Sequence, residues 1–265
     1  MKNILVLVHD DPGQEARIQA ALDITRALDG HLTCLDIAVM SVFAGDVIGA
    51  AAILAADERR AEVSNRARLE PRIQAEDVPF DWIEQCGYLE QTVLDAAGLA
   101  DVIVLNRDLD DTSSPDMYGL VGEVLIRAGR PIVAVPRDTR GFDVYGHALI
   151  AWDGSPQVDA ALRAATPLLR LAATVTLLEI DDGSLRLPAT EAATYLSRHG
   201  IHAAVRQERA TFDLPSTIIL DTIDEKKPAY LVMGGFGHSR FAEAALGGVT
   251  KRMLHECTIP IFLAH

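Results

Sequence analysis

Cysteine is scarce. Cys34, Cys86 and Cys257 are the only three in 265 residues. They lie far apart and form no Cys-x-x-Cys pair, so their spacing supports neither a zinc site nor a disulfide framework and fits reduced thiols in the cytoplasm. Basic residues are in deficit, 24 Lys and Arg against 38 Asp and Glu, for a net charge of −14. Nucleic acid and acidic membrane surfaces are polyanions, and this charge balance argues against both as partners. Long apolar runs are missing too. The opening "NILVLV" breaks at once into His9-Asp10-Asp11 and is too short for a secretory signal. The longest apolar stretch, residues 41–56, contains Asp46 and is too short to span a bilayer. It reads as a buried helix or a packing surface.

What is present is an ordinary globular balance, 49% hydrophobic and 23% charged, in a length that suits one large or two small domains. The chain also repeats itself. "ADVIVLNRDLDDTSSPDMYGLVGEVLIRAGRPIVAVP" and "AYLVMGGFGHSRFAEAALGGVTKRMLHECTIPIFLAH" align without a gap at an offset of 129 positions. Gly119 falls on Gly248 and Pro131 on Pro260. The starts of the halves match as well, "NILVLVHD" with "HALIAWDG", each followed by an amphipathic helical pattern. Duplicated units of this size pack as a pseudo-symmetric pair. The expected domains are residues 1–140 and 144–265, with the seam in the polar segment 137–146.

Each half alternates short apolar runs with helical periodicity. In the second half strands are expected at 148–152, 175–180, 202–206, 230–233 and 261–264, and helices at 156–171, 190–199, 216–226 and 249–256. Continuous apolar strands flanked by helices indicate a parallel sheet covered on both faces. The predicted fold is α/β, two tandem doubly wound five-stranded domains packed as a pseudo-dimer. Ligands of such sheets sit beyond the carboxyl ends of the strands at the switch point. That places Asp153, after the first strand of the second half, near Gly234, after the fourth. "PIVAVP" and "PIFLAH" close the two halves as short apolar edges, and an exposed edge invites pairing. The halves are therefore expected to join through 132–135 and 261–264, with any further dimer using residues 42–54.

The chemistry concentrates in "MGGFGHSRFAEAALGGVTKRML", which spaces its glycines as Gly234-x2-Gly237-x9-Gly247-Gly248. Glycine lets backbone approach a ligand and take positive φ. Successive N–H groups in such turns form anion nests, and the second glycine pair opens a helix, whose N-terminus presents unpaired N–H groups. The alternative is that the glycines serve tight turns and close packing. The spacing is neither a Walker loop nor a dinucleotide fingerprint.

With "AWDGSP", "LVMGGFGHSRFAEAALGGVT" and the closing "IPIFLAH", the chain resembles the universal stress protein family, in its tandem two-domain bacterial form with a Rossmann-like, adenine nucleotide alpha hydrolase-like fold. The resemblance implies ATP binding in the second half, with Mg or Mn as a possible companion ion, and a role in stress-response regulation. The family signature G-x2-G-x9-G-(S/T) is met except at its last position, where Gly248 stands. The implied nucleotide-binding residues are Asp153, Ile180, Met233, Gly234, Gly237, His238, Gly247, Gly248, Val249 and Thr250. Thr250 is a partial substitute for the missing hydroxyl, and Asp153 and the backbone near Ile180 would meet the adenosine.

In the first half the gapless offset puts Leu105 at Gly234, Asp108 at Gly237 and Tyr118 at Gly247. Side chains and carboxylates there would exclude phosphate, so that half is expected to be a degenerate copy serving as scaffold and partner surface. Ser155 reads as a helix N-cap followed by Pro156, and Trp152 as core. Arg240 is a candidate phosphate clamp, whereas Lys251 and Arg252 are expected to face solvent. No catalytic triad, paired carboxylates or metal ligands emerge from spacing, and His9, His31, His147, His199, His202, His255 and His265 read as structural or solvated. The expected protein is cytoplasmic and not an enzyme. It would bind an adenine nucleotide and an unidentified protein partner, with a homodimer possible. A scaffold that binds no nucleotide is the rival reading.

Overall fold

The computed structural model describes residues 1–40, 48–107, 117–181, 183, 185–210, 214–237 and 248–265; for 48–55, 117 and 118 it describes the backbone alone. The apolar runs become the central strands. In the first half these are β1 (Asn3–Val8), β2 (His31–Val39), β3 (Phe80–Gly87), β4 (Val102–Asn106) and β5 (Ile132–Val135). In the second they are β6 (His147–Trp152), β7 (Thr174–Asp181), β8 (Ala203–Arg209), β9 (Tyr230–Gly234) and β10 (Ile261–Ala264). The helices are α1 (Gln14–Ala27), α2 (Ile48–Ala75), α3 (Leu89–Ala96), α4 (Met117–Ala128), α5 (Pro156–Leu169), α6 (Ala189–Arg198), α7 (Pro215–Lys226) and α8 (Val249–Glu256).

All ten strands form one sheet in the order β3-β2-β1-β4-β5-β10-β9-β6-β7-β8. Every neighbouring pair is parallel except β5 and β10, which run antiparallel with Val133 opposite Phe262. Those two residues occupy the same place in the repeat, 129 positions apart, so the pseudo-twofold axis passes through their pair. The halves thus join through 132–135 and 261–264, and closing both apolar edges on each other leaves neither exposed. The expected further dimer through 42–54 falls on residues 41–47, outside the described residues, and on a helical segment whose side chains are not described.

Two apolar layers sandwich the sheet and run unbroken across the junction. One contains α1, α2, α5 and α6 with Ile4, Val6, Val104, Val133, Ile150, Trp152, Val232 and Phe262. The other contains α3, α4, α7 and α8 with Leu5, Leu7, Ile103, Leu149, Leu231, Met233, Ile261 and Leu263. Alternate residues of each strand point to opposite layers, as the pleat requires. The seam is polar in composition but anchored by apolar residues. Phe142 and Val144 are buried, and Phe142 stacks on Tyr230 with ring centroids 4.8 Å apart.

The gapless offset is corrected by one residue. Ile103 N–H donates to Pro131 O as Leu231 N–H donates to Pro260 O, and Arg107 N–H to Val135 O as Gly235 N–H to Ala264 O. Strands β4 and β9 therefore correspond 128 positions apart, whereas β5 and β10 correspond at 129. The second half carries one extra residue between them. Asn106, not Leu105, stands at Gly234, and Arg107 stands at Gly235. Asp108 lies outside the described residues, and only the backbone of Tyr118 is described.

Candidate functional site at the carboxyl ends of β6 and β9

Strand order reverses between β6 and β9, since the chain leaves β6 toward β7 and β8 and returns on the other side. The crevice beyond their carboxyl ends is where a doubly wound sheet holds ligands. Three pieces of chain meet there. The first is the turn from β6 into α5. Asp153 is exposed, and its Oδ1 accepts from Ser155 N–H at 2.9 Å. Ser155 caps α5, its Oγ accepting from Val158 N–H at 3.3 Å, with Pro156 as the first helical residue. Gly154 has φ +69°, and a Cβ there would lie 2.5 Å from Leu187 N. Only glycine suits both demands. Leu187 O also accepts from Trp152 Nε1 at 2.8 Å, which seats the buried indole and pins the segment before α6 over the end of β6.

The second piece is the glycine loop after β9. Gly234 packs against the first turn of α5: a Cβ would sit 2.6 Å from Val158 N and 2.8 Å from Gln157 C. At Gly235 a Cβ would lie 2.5 Å from Leu125 Cδ2, in α4 of the other half. Phe236 takes φ +53° and lays its ring against Gly122, also in α4. Gly237 is exposed, and a Cβ there would meet Gln157 Oε1 at 3.2 Å. The packing explanation of the glycines therefore accounts for Gly234 and Gly235, and Gly237 is the one that faces out.

The third piece is the N-terminus of α8. Gly248 occupies the N-cap with φ −47° and ψ 156° and provides no side-chain cap. Thr250 is buried, and its Oγ1 accepts from Phe236 N–H at 3.1 Å. That bond ties the glycine loop to the helix. His238 and Gly247, together with Ser239 and Arg240, lie outside the described residues. Ile180 is the penultimate residue of β7 and Met233 lies in β9, both buried, so their backbones rather than their side chains border the crevice. Lys251 is exposed as expected. Arg252 is not: it reaches Thr217 Oγ1 at 2.7 Å and Glu256 at 3.0 Å, stitching α8 to α7.

The matching crevice of the first half is filled. Arg17 of α1 is fully buried between β1 and β4. Its guanidinium donates to Leu7 O at 2.7 Å, His9 O at 2.9 Å and both oxygens of Asp11, and it also contacts Asn106 Oδ1. Asn106 presses on Gly13, where a Cβ would lie 2.6 Å from Asn106 Cγ. In the second half Ala161 and Gly234 stand at the places of Arg17 and Asn106. Sequence spacing did not single out Arg17, although a cation on the apolar stripe of α1, in line with Ala21 and Ile24, was the available signal. Nor did it nominate His9, Glu58 and Glu62, which converge beside this network.

A tandem Rossmann-like protein follows, with one crevice lined by glycines and the other closed by a buried charge network. Residues 145–265 match the model of the Universal stress protein family. The second half of the chain belongs to that family, and the first half repeats its fold. A universal stress protein structure from Archaeoglobus fulgidus DSM 4304 shares the architecture at TM-score 0.77 and 15% identity, over 99% of this chain and 95% of its own. A structure from Pseudomonas aeruginosa UCBPP-PA14, named for the same family, aligns at TM-score 0.61 and 15% identity, over 100% and 93% of the two chains. The cytoplasmic domain of a prokaryotic cation chloride cotransporter aligns at TM-score 0.52 and 12% identity, over 99% and 94%. At these identities the likeness is one of fold, and a fold hosts many functions. A comparison with curated proteins gave no match. Among the described residues no helix is long and apolar enough to cross a membrane.

Proposed function

We propose that the second half binds one adenine nucleotide, ATP in the first instance, and that the chain uses the bound state as a regulatory signal in a stress response. The observation that carries this reading is the junction of three elements at the β6–β9 switch point. Gly234 rests on α5, Phe236 N–H is bonded to Thr250, and Gly248 opens α8 without a capping side chain. Free N–H groups at a helix start suit a polyphosphate. The exposed Asp153 carboxylate on the adjoining strand suits ribose hydroxyls or the adenine amine. A Mg or Mn ion would travel with the phosphates and offset their charge against a chain of net charge −14. The output of such a site is a change of conformation or of protein partner rather than turnover of ATP.

The rival reading, a scaffold that binds no nucleotide, draws on two observations. Gly248 lacks the hydroxyl of the family signature, and Gly234 and Gly235 have packing roles of their own. Native mass spectrometry of freshly purified protein, followed by ATP titration calorimetry, separates the two. One nucleotide per chain supports the proposal. None, or two equivalent sites, overturns it.

A further inference from the structure

We propose that the first half carries a site for a first-row divalent transition metal of the zinc class, built by His9, Glu58 and Glu62. His9 follows β1. Glu58 and Glu62 lie one turn apart on α2, a spacing that puts both carboxylates on one helix face. One ligand atom from each of the three falls within 4.8 Å of the others. His9 Nδ1 lies 2.9 Å from Glu62 Oε1 and 3.6 Å from Glu58 Oε1, within ion-pair reach of both carboxylates but outside good hydrogen-bond geometry. His9 is only 9% exposed. A cation shared by the imidazole and the two carboxylates would use these same three ligand atoms.

The surroundings hold the ligands in place. Asn65 Nδ2 donates to Glu62 Oε2 at 3.2 Å, and Asn65 is itself fixed by a reciprocal amide pair with Gln14 at 2.9 and 2.7 Å. Asp10 N–H donates to Glu62 Oε1 at 3.3 Å. Outer-shell bonds of this kind orient metal ligands and tune their basicity. Glu62 also lines a cavity of about 320 Å³ with Asp36, Arg59 and Cys86. One imidazole nitrogen with two carboxylate oxygens selects zinc-like ions over calcium or magnesium, which take oxygen donors alone. The acidic field of the chain raises the local cation concentration.

The test uses the full chain, stripped with chelator and free of nucleotide, titrated with zinc chloride by calorimetry and with cobalt(II) by visible absorption. One zinc per chain is expected. His9→Ala and Glu62→Gln should each weaken binding at least tenfold, on the scale of a lost ligand. Glu58→Gln, at the most exposed ligand, should weaken it and shift the cobalt spectrum, and serves if the buried variants fail to fold. Gly237→Asp should bind zinc as wild type does, which separates this site from the nucleotide crevice. If His9, Glu58 and Glu62 form only an ion pair, the wild type takes up no zinc, or folded His9→Ala or Glu58→Gln takes it up with unchanged affinity. Any of these results overturns the proposal.

Discussion

Arg107 of the first half donates to the carbonyl oxygen of Leu254 in the second at 2.6 Å. The repeat maps Arg107 to Gly235 and Leu254 to Leu125, and Gly235 indeed abuts Leu125, so closely that a Cβ would sit 2.5 Å from Leu125 Cδ2. The same crossing contact is thus made twice, once by a long cation and once by bare backbone. The difference follows the two crevices. In the second half glycine keeps the strand end slim beside the glycine loop. In the first half side chains fill the equivalent space and tie the halves together.

The glycines of the loop should separate by role. Gly234→Ala places a methyl group against the backbone of Val158 and Gln157, which cannot move without shifting α5. A stability loss of about 1–3 kcal/mol is expected, seen as a lower midpoint in urea. Gly237→Asp meets only the end of the Gln157 side chain. It should leave the midpoint within about 0.5 kcal/mol of wild type and abolish ATP binding through like charge. Unchanged ATP affinity in folded Gly237→Asp would place the phosphates elsewhere.

Arg17 is the strut of the closed crevice. Arg17→Ala strands Asp11 and the carbonyls of Leu7 and His9 in a buried site, and breaking a buried pair by removing one partner costs about 3–5 kcal/mol. Arg17→Lys recovers only part of this, because an ammonium cannot reproduce the forked contacts. Chemical denaturation of both variants measures the difference. Equal stabilities for wild type and Arg17→Ala would refute the strut.

Much of this architecture was legible in the sequence because burial on both faces leaves a plain signature. β4, β5, β9 and β10 are unbroken apolar runs, and the Ser155-Pro156 cap announces α5. The pairing of 132–135 with 261–264 followed from two short apolar edges in equivalent places. Edge strands were harder. β8 extends to Arg209 through charged residues, beyond the expected end at 206, because an edge strand exposed to solvent needs no apolar pattern. The extra residue between β9 and β10 was hidden, since glycine and proline landmarks after β4 still align at 129. Of the candidate site, the sequence supplied Asp153 and the glycine spacing. It did not reveal that Thr250 is engaged by Phe236, or that Arg17 seals the first half, because both depend on contacts between residues distant in sequence.

The three cysteines should differ sharply in reactivity. Burial pushes the Cys34 thiol up to about 12, helped by the Asp36 and Glu70 charges, and burial raises Cys257 as well. Cys86 is exposed at the end of β3. Thiolate, not thiol, is the nucleophile. One fast thiol per native chain is therefore expected with a colorimetric disulfide reagent, three in denaturant, and none fast in Cys86→Ser. Two or more fast thiols in the native protein would contradict the burial of β2 and the α8–β10 turn.

Restoring the family hydroxyl offers the most discriminating variant. Gly248 has an extended backbone conformation, φ −47° and ψ 156°, that serine adopts without strain. Gly248→Ser therefore adds an N-cap oxygen to α8, with a gain of a few tenths of a kcal/mol over glycine expected from capping alone. If the phosphates rest on this helix, the hydroxyl also donates to a charged oxygen, a bond of about 1.5–3 kcal/mol, equivalent to roughly tenfold or more in affinity. Capping and ligand contact are separable, because only the second changes the ATP dissociation constant in calorimetry. A tighter constant with little change in stability places the phosphates at the start of α8. A stabilised protein with an unaltered constant would show that the hydroxyl serves the helix alone, and would shift the weight toward the scaffold reading.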